Sequence, residues 1–193
     1  MQDNVDLIVS KLLDSDDTTV GGGAGSALTA AMAASIVSMV AKLSRKKPVH
    51  LTVEEYEHIA AESDQLSQLL QKGCVEDYRA YCGIVEAFKM PKGSEPEKDA
   101  RRQAVEAAAV HAAEVPRDNG RLAAKVLELG MKLKGNSNPA CLSDLMCAIF
   151  LSQSAIKDCA LNVEANLSMI KDGAVSGSLR NDMLELFLLA VKN

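Results

Sequence analysis

LSDLMCAIFLSQSAIKDCALNVEANLSMI, residues 142–170, is the stretch that decides the fold class of this chain. Its core positions follow one another at spacings that alternate between three and four residues, which is a seven-residue repeat. They are Met146, Ile149, Gln153, Ile156, Ala160, Val163, Leu167 and Ile170. A β-strand would alternate with a period of two, and no segment of the chain does so. The stretch therefore predicts one long helix within an all-α, multi-helix bundle.

Pro and Gly residues divide the rest of the chain into further helices. Two of these helices are expected to begin at capping boxes, Thr52 with Glu55 and Ser94 with Glu97. We expect Pro116 to separate two helices, because proline removes a backbone donor from a helix. The expected helices cover residues 5–13, 26–47, 52–90, 94–115, 117–134 and 178–192, besides the helix quoted above.

The composition indicates a single helical domain over residues 1–193. Hydrophobic residues make up 48% of the chain, whereas aromatic residues make up 3% and Trp is absent. A core of Ala, Leu, Ile, Val and Met is typical of close-packed helices rather than of a sheet. The formal net charge is −5. Neither nucleic acid nor an anionic membrane is therefore expected as a partner.

The sequence further indicates a cytoplasmic protein. Its five cysteines are an odd number without C-x-x-C spacing, which favours reduced thiols over a disulfide scaffold or a zinc site. The three histidines show no ligand spacing either, so no metal site is expected. The N-terminus lacks the basic start and apolar run of a signal peptide. Residues 24–43 are nearly long enough to span a membrane, but their Ala and Ser content favours a buried helix.

Polar residues precede the quoted helix and recur near its end. K-G-N-S-N, residues 134–138, forms a turn ahead of Ser143 and Asp144, while Asn162 and Asn166 lie one turn apart on the apolar helix. An amide buried without a partner costs about 1–3 kcal/mol. These residues therefore predict an internal hydrogen-bond network or a ligand. Asp144 would also meet the positive end of the helix dipole, and capping alone, with Ser143 as the N-cap, would explain it.

A glycine-rich turn, V-G-G-G-A-G-S at residues 20–26, leads into the second helix. Glycines before a helix allow backbone N–H groups to approach an anion. The turn is not a P-loop, because the G-K-[ST] ending is missing, and no strand precedes it. A tight turn with close helix packing is the alternative.

Asp77 lies on a stripe of the third helix that should be apolar. Leu70, Asp77 and Ile84 are spaced seven residues apart. Burial there would raise the pKa of the carboxyl group toward the range that suits a general acid–base. An ion pair with Lys or Arg of another helix is the alternative.

Taken in order, these segments resemble the cyclodeaminase/cyclohydrolase family, which includes bacterial methenyltetrahydrofolate cyclohydrolases. The family's glycine turn before a small-residue helix is similar to residues 20–43, and its acid-then-aromatic pattern is similar to Asp77 and Tyr81. Its A-x-x-V-P helix end is similar to residues 112–116, with an upstream arginine at Arg101. G-N-x-N…S-D and N-V-x-x-N-L match residues 135–144 and 162–167. The departures are Val20, Ala24, Glu106, Leu145 and Met146.

The resemblance implies a folate one-carbon enzyme that forms a helical homodimer and needs no cofactor beyond its tetrahydrofolate substrate. Hydrolysis of 5,10-methenyltetrahydrofolate to 10-formyltetrahydrofolate is slightly favoured, because the chain carries no fused formiminotransferase domain. Formiminotetrahydrofolate cyclodeaminase, which releases ammonia, is the second expectation. A non-catalytic folate-binding or helical interaction module is the alternative from another class, and the departures from the family pattern favour it.

We predict on these grounds one pocket that contains Asp77 and Asp144 as the candidate acid–base residues. The substrate-binding residues of this pocket would be Gly21, Gly22, Gly23, Asn136, Asn138, Asn162 and Asn166. Lys47 is a further candidate, for contact with the glutamate tail of folate.

Overall fold

The computed structural model describes residues 4–192, and the side chains of residues 4–191. The prediction of an all-α fold is confirmed, since the structure is 82% helical and the described residues form no strand. The elements are α1 (Val5–Leu12), α2 (Gly22–Ser44), α3 (Val53–Lys89), α4 (Glu95–Leu133), a short 3₁₀ helix (Pro139–Cys141), α5 (Leu142–Leu167) and α6 (Gly173–Lys192).

The helix α2 lies at the centre of the bundle, where it contacts α3, α4 and α5. Its buried residues are all Ala, Gly, Ser or Val, and such small side chains let neighbouring helices approach closely. By length and composition alone, α2 and the segment Pro139–Leu167 could each cross a membrane. In the bundle, 61% of the most apolar part of α2 is buried among other helices, as a core helix requires.

Both predicted capping boxes are present. Thr52 Oγ1 accepts a hydrogen bond from Glu55 N at 3.2 Å, and the Glu55 carboxylate accepts one from Thr52 N at 2.8 Å. Ser94 and Glu97 make the same reciprocal pair at the start of α4. These local bonds satisfy backbone donors that have no partner within a helix, so they define where α3 and α4 begin.

The predicted break at Pro116 is wrong, because α4 runs without interruption from Glu95 to Leu133. Pro116 has no N–H to donate to the carbonyl oxygen of Ala112, four residues earlier. That oxygen instead accepts a hydrogen bond from Asn166 Nδ2 of α5 at 3.0 Å. A side chain from another helix thus replaces the missing donor, and α4 continues through the proline.

Three further helix boundaries differ from the prediction. α2 begins at Gly22, one turn before the expected Ser26, and α5 is capped by Cys141 rather than by Ser143. α6 begins at Gly173, because the Asp172 carboxylate accepts hydrogen bonds from the first backbone N–H groups of that helix. α5 is also not buried on all sides, since Phe150 is 60% and Leu161 69% exposed.

Candidate functional site

Asp77 of α3 points at the N-terminal end of α2. Its carboxylate accepts a hydrogen bond from the backbone N–H of Ala24, in the first turn of that helix. Loss of hydration on burial raises the pKa of Asp77 to about 6, and the bond from Ala24 only partly offsets this rise. No ion pair to this carboxylate is present among the described residues, so the alternative of a buried ion pair is not what the structure shows.

Gly23 makes the approach of Asp77 possible. A Cβ atom at this position would lie 2.5 Å from Asp77 Cγ and Oδ2, and closer still to Oδ1. Gly21, two residues earlier, has open space around the same hypothetical atom. The glycine-rich turn therefore serves close packing at Gly23, and one of its backbone donors, the N–H of Ala24, binds a carboxylate of the same chain.

Asn162 and Asn166 of α5 have their amide groups oriented by backbone carbonyls. Asn162 Nδ2 donates to Asp158 O at 2.7 Å. Asn166 Nδ2 donates to Asn162 O at 2.9 Å, besides its bond to Ala112 O. A carbonyl oxygen only accepts, so these bonds fix the orientation of both amides. In the described part of the chain, no residue donates to either side-chain oxygen, and both remain available as acceptors.

A cavity of about 230 Å³ brings these groups together. Its wall contains the Gly21–Gly23 turn, Asp77, Asn162 and Asn166, so six of the predicted site residues meet there. The remaining lining residues are Thr18, Thr19, Tyr81, Ile84, Ala112 and Ala165. The carboxylate and the two amide oxygens form a wall rich in acceptors, which suits a cationic group or an ordered water molecule. Asp77 has a pKa of about 6, so its carboxyl group could accept a proton from a bound water molecule and donate it to a ligand.

The prediction that Asp77 and Asp144 line one pocket of this chain is wrong. Asp144 is exposed in the first turn of α5, whereas Asn162, which lines the cavity, lies 18 residues further along the same helix. At 1.5 Å per residue, the two positions are about 27 Å apart along the helix axis. The two parts of the polar sequence pattern therefore belong to opposite ends of one long helix.

Asn136 and Asn138 also lie outside the cavity, in the turn that joins α4 to the 3₁₀ helix. Asn136 Nδ2 donates to Lys132 O at 2.8 Å, and Asn138 Oδ1 accepts from Ala140 N at 3.1 Å. Asn138 N donates to Ser44 Oγ at 2.9 Å, which ties the turn to the end of α2. At this turn, the alternative of an internal hydrogen-bond network is the one that the structure shows.

Lys47 is exposed, three residues beyond the C-terminal end of α2. α2 has 23 residues and is therefore about 35 Å long, with the cavity at its other end. Lys47 is therefore too far from this cavity to contact a ligand bound there in the same chain, and that prediction is wrong.

Several cavity residues were missed from the sequence. Thr18 and Thr19 carry no motif, and Ile84 and Ala112 look like ordinary core residues. Pro116 did indicate the hydrogen bond between Asn166 and Ala112. A proline within a helix leaves one backbone carbonyl without its usual donor, so another group must supply one. Within residues 4–192, no group of three or more His, Cys, Asp or Glu side chains is placed to hold a metal ion.

Comparison with known proteins finds relatives that are named as cyclohydrolases and as cyclodeaminases. A methenyltetrahydrofolate cyclohydrolase of Methylorubrum extorquens is 29% identical over 84% of this chain and 78% of its own length. The formimidoyltransferase-cyclodeaminase of Mus musculus is 30% identical over 79% of this chain, and that of Sus scrofa is 29% identical over 86%. The chain spans 28% and 31% of the length of these two mammalian proteins.

The fold has a solved counterpart. A crystal structure of formiminotetrahydrofolate cyclodeaminase from Thermotoga maritima superposes with a TM-score of 0.81 and covers 95% of this chain and 92% of its own, at 24% identity. The model of the formiminotransferase-cyclodeaminase family matches residues 9–185, which is most of the chain. The α-helical chain with its acceptor-lined cavity thus belongs to the formiminotransferase-cyclodeaminase family.

Proposed function

We propose that this protein is a methenyltetrahydrofolate cyclohydrolase, which converts 5,10-methenyltetrahydrofolate to 10-formyltetrahydrofolate in the cytoplasm. The relative of that name in Methylorubrum extorquens matches over most of both chains, whereas the mammalian bifunctional relatives match over about a third of their length or less. The family match supports folate one-carbon chemistry for either reaction.

The partly buried Asp77 carboxylate in the acceptor-lined cavity is the observation that carries this proposal. The methenyl carbon lies between N5 and N10 and shares their positive charge. A cation of this kind is stabilised by a carboxylate and by amide oxygens in a partly desolvated site. The first N–H groups of α2 have no partner within the helix, so they could bind oxygen atoms of the substrate.

Hydrolysis would use Asp77 to move a proton. A water molecule attacks the methenyl carbon while Asp77 accepts one of its protons, which yields a neutral tetrahedral intermediate. Asp77 then donates that proton to N5 as the bond between the carbon and N5 breaks. The hydroxyl proton leaves to solvent as the formyl carbonyl forms on N10. No atom changes its oxidation state, so we propose that the reaction needs no cofactor besides the folate itself.

The cyclodeaminase reaction is the second candidate, and the same cavity supports it. There N10 attacks the formimino carbon of 5-formiminotetrahydrofolate, and ammonia leaves. The proton that N10 loses passes to the imino nitrogen, and Asp77 would donate the second proton that this nitrogen needs to leave as ammonia. The mammalian relatives whose names include this activity favour it, as does the family name.

One experiment separates the candidates. The purified protein is supplied in turn with 5,10-methenyl- and 5-formimino-tetrahydrofolate, while methenyl absorbance and ammonia are followed. Methenyl loss faster than the uncatalysed rate supports the cyclohydrolase, and methenyl formation with ammonia release supports the cyclodeaminase. Folate binding without either change would favour the non-catalytic folate-binding module. Absence of binding and of turnover would overturn both enzymatic proposals.

We also propose that the protein forms a homodimer, with neither nucleic acid nor a membrane as a partner. Large apolar side chains are exposed along α2, α5 and α6, including Met32, Met39, Phe150, Leu161 and Leu184. Exposed apolar side chains on neighbouring helices are typical of surfaces that associate. Sedimentation equilibrium at micromolar concentration should give twice the chain mass, and a monomer would contradict the proposal.

A further inference from the structure

Tyr81 of α3 supplies the aromatic surface of the Asp77 cavity. Among the described residues, it is the one aromatic side chain that lines this cavity. Tyr81 is 44% exposed, whereas Tyr56 of the same helix is fully buried and donates its hydroxyl proton to Asn136 O. Within residues 4–191, the hydroxyl group of Tyr81 has no hydrogen-bond partner and its ring has no cation beside it. The ring is therefore open to a ligand in the cavity.

The position of Tyr81 places its ring close to the candidate acid–base group. Tyr81 follows Asp77 by one helical turn, so their Cβ atoms lie on one face of α3, about 5–6 Å apart. Long side chains of a helix lean toward its N-terminal end, which directs the ring of Tyr81 toward the turn that carries Asp77. Asn162 and Asn166 of α5 complete the polar lining of the same cavity. A ligand beside the Asp77 carboxylate thus meets an aromatic face as well.

Two other rings of α3 each hold a cation of the protein itself. Lys11 Nζ lies 5.5 Å from the centre of the Tyr78 ring, and Arg101 Cζ lies 5.2 Å from the centre of the Phe88 ring. The negative face of an aromatic ring attracts a cation at such distances. In the part of the chain that the structure describes, no Lys, Arg or His lines the cavity beside Tyr81. The place over this third ring is thus left for a cation that the protein does not supply.

We infer that the ring face of Tyr81 binds the positive charge of the methenyl group. The inference rests on the proposed function, because it requires 5,10-methenyltetrahydrofolate in this cavity. N5, the methenyl carbon and N10 share the charge within a flat ring, and a flat cation stacks on an aromatic face. The ring of Tyr81 covers one face of the cation and leaves the other to the attacking water molecule and Asp77. Tyr81 thereby recognises the charge of the substrate as well as its shape.

The chemical step removes the charge that Tyr81 recognises. In the proposed mechanism, addition of water yields a neutral tetrahedral intermediate, so the attraction to the ring is strongest in the bound substrate and declines toward the transition state. An interaction of this kind contributes to the affinity for the substrate and does not accelerate the chemical step. It also favours release of the neutral product, because 10-formyltetrahydrofolate carries no positive charge for the ring to hold.

The test compares a charged with an uncharged folate. KM and kcat are measured for 5,10-methenyltetrahydrofolate, and titration calorimetry gives the Kd of 5-formyltetrahydrofolate, which lacks the positive charge. Tyr81→Leu keeps an apolar residue that favours a helix but removes the ring. It should raise KM about three- to thirtyfold without lowering kcat. The Kd of the uncharged folate should rise at least about threefold less than this KM.

Tyr81→Phe and Phe88→Leu are the matched variants. Tyr81→Phe keeps the aromatic face and loses the hydroxyl group, so KM, kcat and Kd should all stay within about threefold of the wild type. Phe88 is 48% exposed on the same helix and does not line the cavity, so Phe88→Leu should change none of the three values.

Three outcomes would overturn the inference while turnover by the wild type leaves the proposed function standing. The first is an unchanged KM in Tyr81→Leu. The second is a parallel rise of KM and of the Kd for the uncharged folate, which would mean that the ring serves shape and not charge. The third is a tenfold or larger loss of kcat in Tyr81→Phe, which would assign the effect to the hydroxyl group. If the wild type neither binds nor turns over a folate, the proposed function itself fails.

Discussion

The carboxylate of Asp77 occupies the space that a side chain at Gly23 would need, so the end of α2 and the middle of α3 can meet only because residue 23 is glycine. In the proposed site this contact fixes the candidate acid–base group against the first turn of α2. The two sequence features that looked separate, a glycine turn and an acid on an apolar stripe, are one structural unit.

Gly23→Ala should therefore impair both stability and activity. The added methyl group forces Asp77 away from Ala24 N, and overpacking of this kind costs about 1–3 kcal/mol. Activity should fall by about a hundredfold or more, as expected when a positioned acid–base group is displaced. Urea unfolding and initial rates measure the two effects.

Gly21→Ala is the matched control, since open space surrounds that position and its φ of −135° is acceptable for alanine. Its free energy of unfolding should stay within about 1 kcal/mol of the wild type, because alanine is a poorer N-cap residue than glycine but meets no clash at this position. Equal loss of activity in both variants would contradict the role given to the Gly23–Asp77 contact.

The pH dependence of turnover should report Asp77. As the base, the carboxylate must be ionised, so kcat/KM should fall about tenfold per pH unit below the pKa of about 6. Asp77→Asn should lose about a hundredfold or more in rate, and its residual rate should lack this acidic limb. Rates are measured from pH 5 to 8 after subtraction of uncatalysed hydrolysis. A wild-type profile that stays flat through pH 6 would argue against Asp77 as the base.

The same substitution should stabilise the fold at neutral pH. The pKa of Asp77 is raised from 3.8 to about 6 in the folded state, so the folded protein binds the proton more tightly than the unfolded chain. Stability is then highest below about pH 4 and is lost as the pH rises toward 6. Above that, the ionised group costs about 2–3 kcal/mol, which a neutral Asn avoids. Urea unfolding at pH 7 should show a more stable Asp77→Asn, and a less stable variant would contradict this account.

Asp144→Asn should leave turnover within about twofold of the wild type. Asp144 is exposed at the far end of α5, and its interaction with the helix dipole is worth only about 0.3–1 kcal/mol. Initial rates with both folates measure the effect. A hundredfold loss of turnover would instead support Asp144 as an acid–base residue. Because it lies far from the cavity of its own chain, it would then have to act in the site of a second copy of the chain.

Local patterns predicted the helices, and contacts between distant residues decided the site. The long helix α5 and the capping boxes at Thr52 and Ser94 could be predicted, because the residues that define them lie within a few positions of one another along the chain. Asn162 and Asn166 were also recognised as unusual on an apolar helix. The order of the motifs did not show that Asn162 and Asn166 are far from Asp144. One long, straight helix carries the two asparagines at one end and the acid at the other.

The hydrogen bond between Asn166 and Ala112 should depend on Pro116, and a double-mutant cycle can measure this. Asn166→Ala leaves the Ala112 carbonyl without a donor, at a cost of about 1–3 kcal/mol. In a Pro116→Ala background, the new backbone N–H at residue 116 can satisfy that carbonyl, so the cost of Asn166→Ala should shrink by about 1 kcal/mol. Asn162→Ala is the control, because its partner is Asp158 O, and its cost should be the same with Pro or Ala at residue 116. Urea unfolding of the single and double variants yields the coupling energies. A cost of Asn166→Ala that does not change with residue 116 would mean that the side chain does not replace the donor that proline lacks.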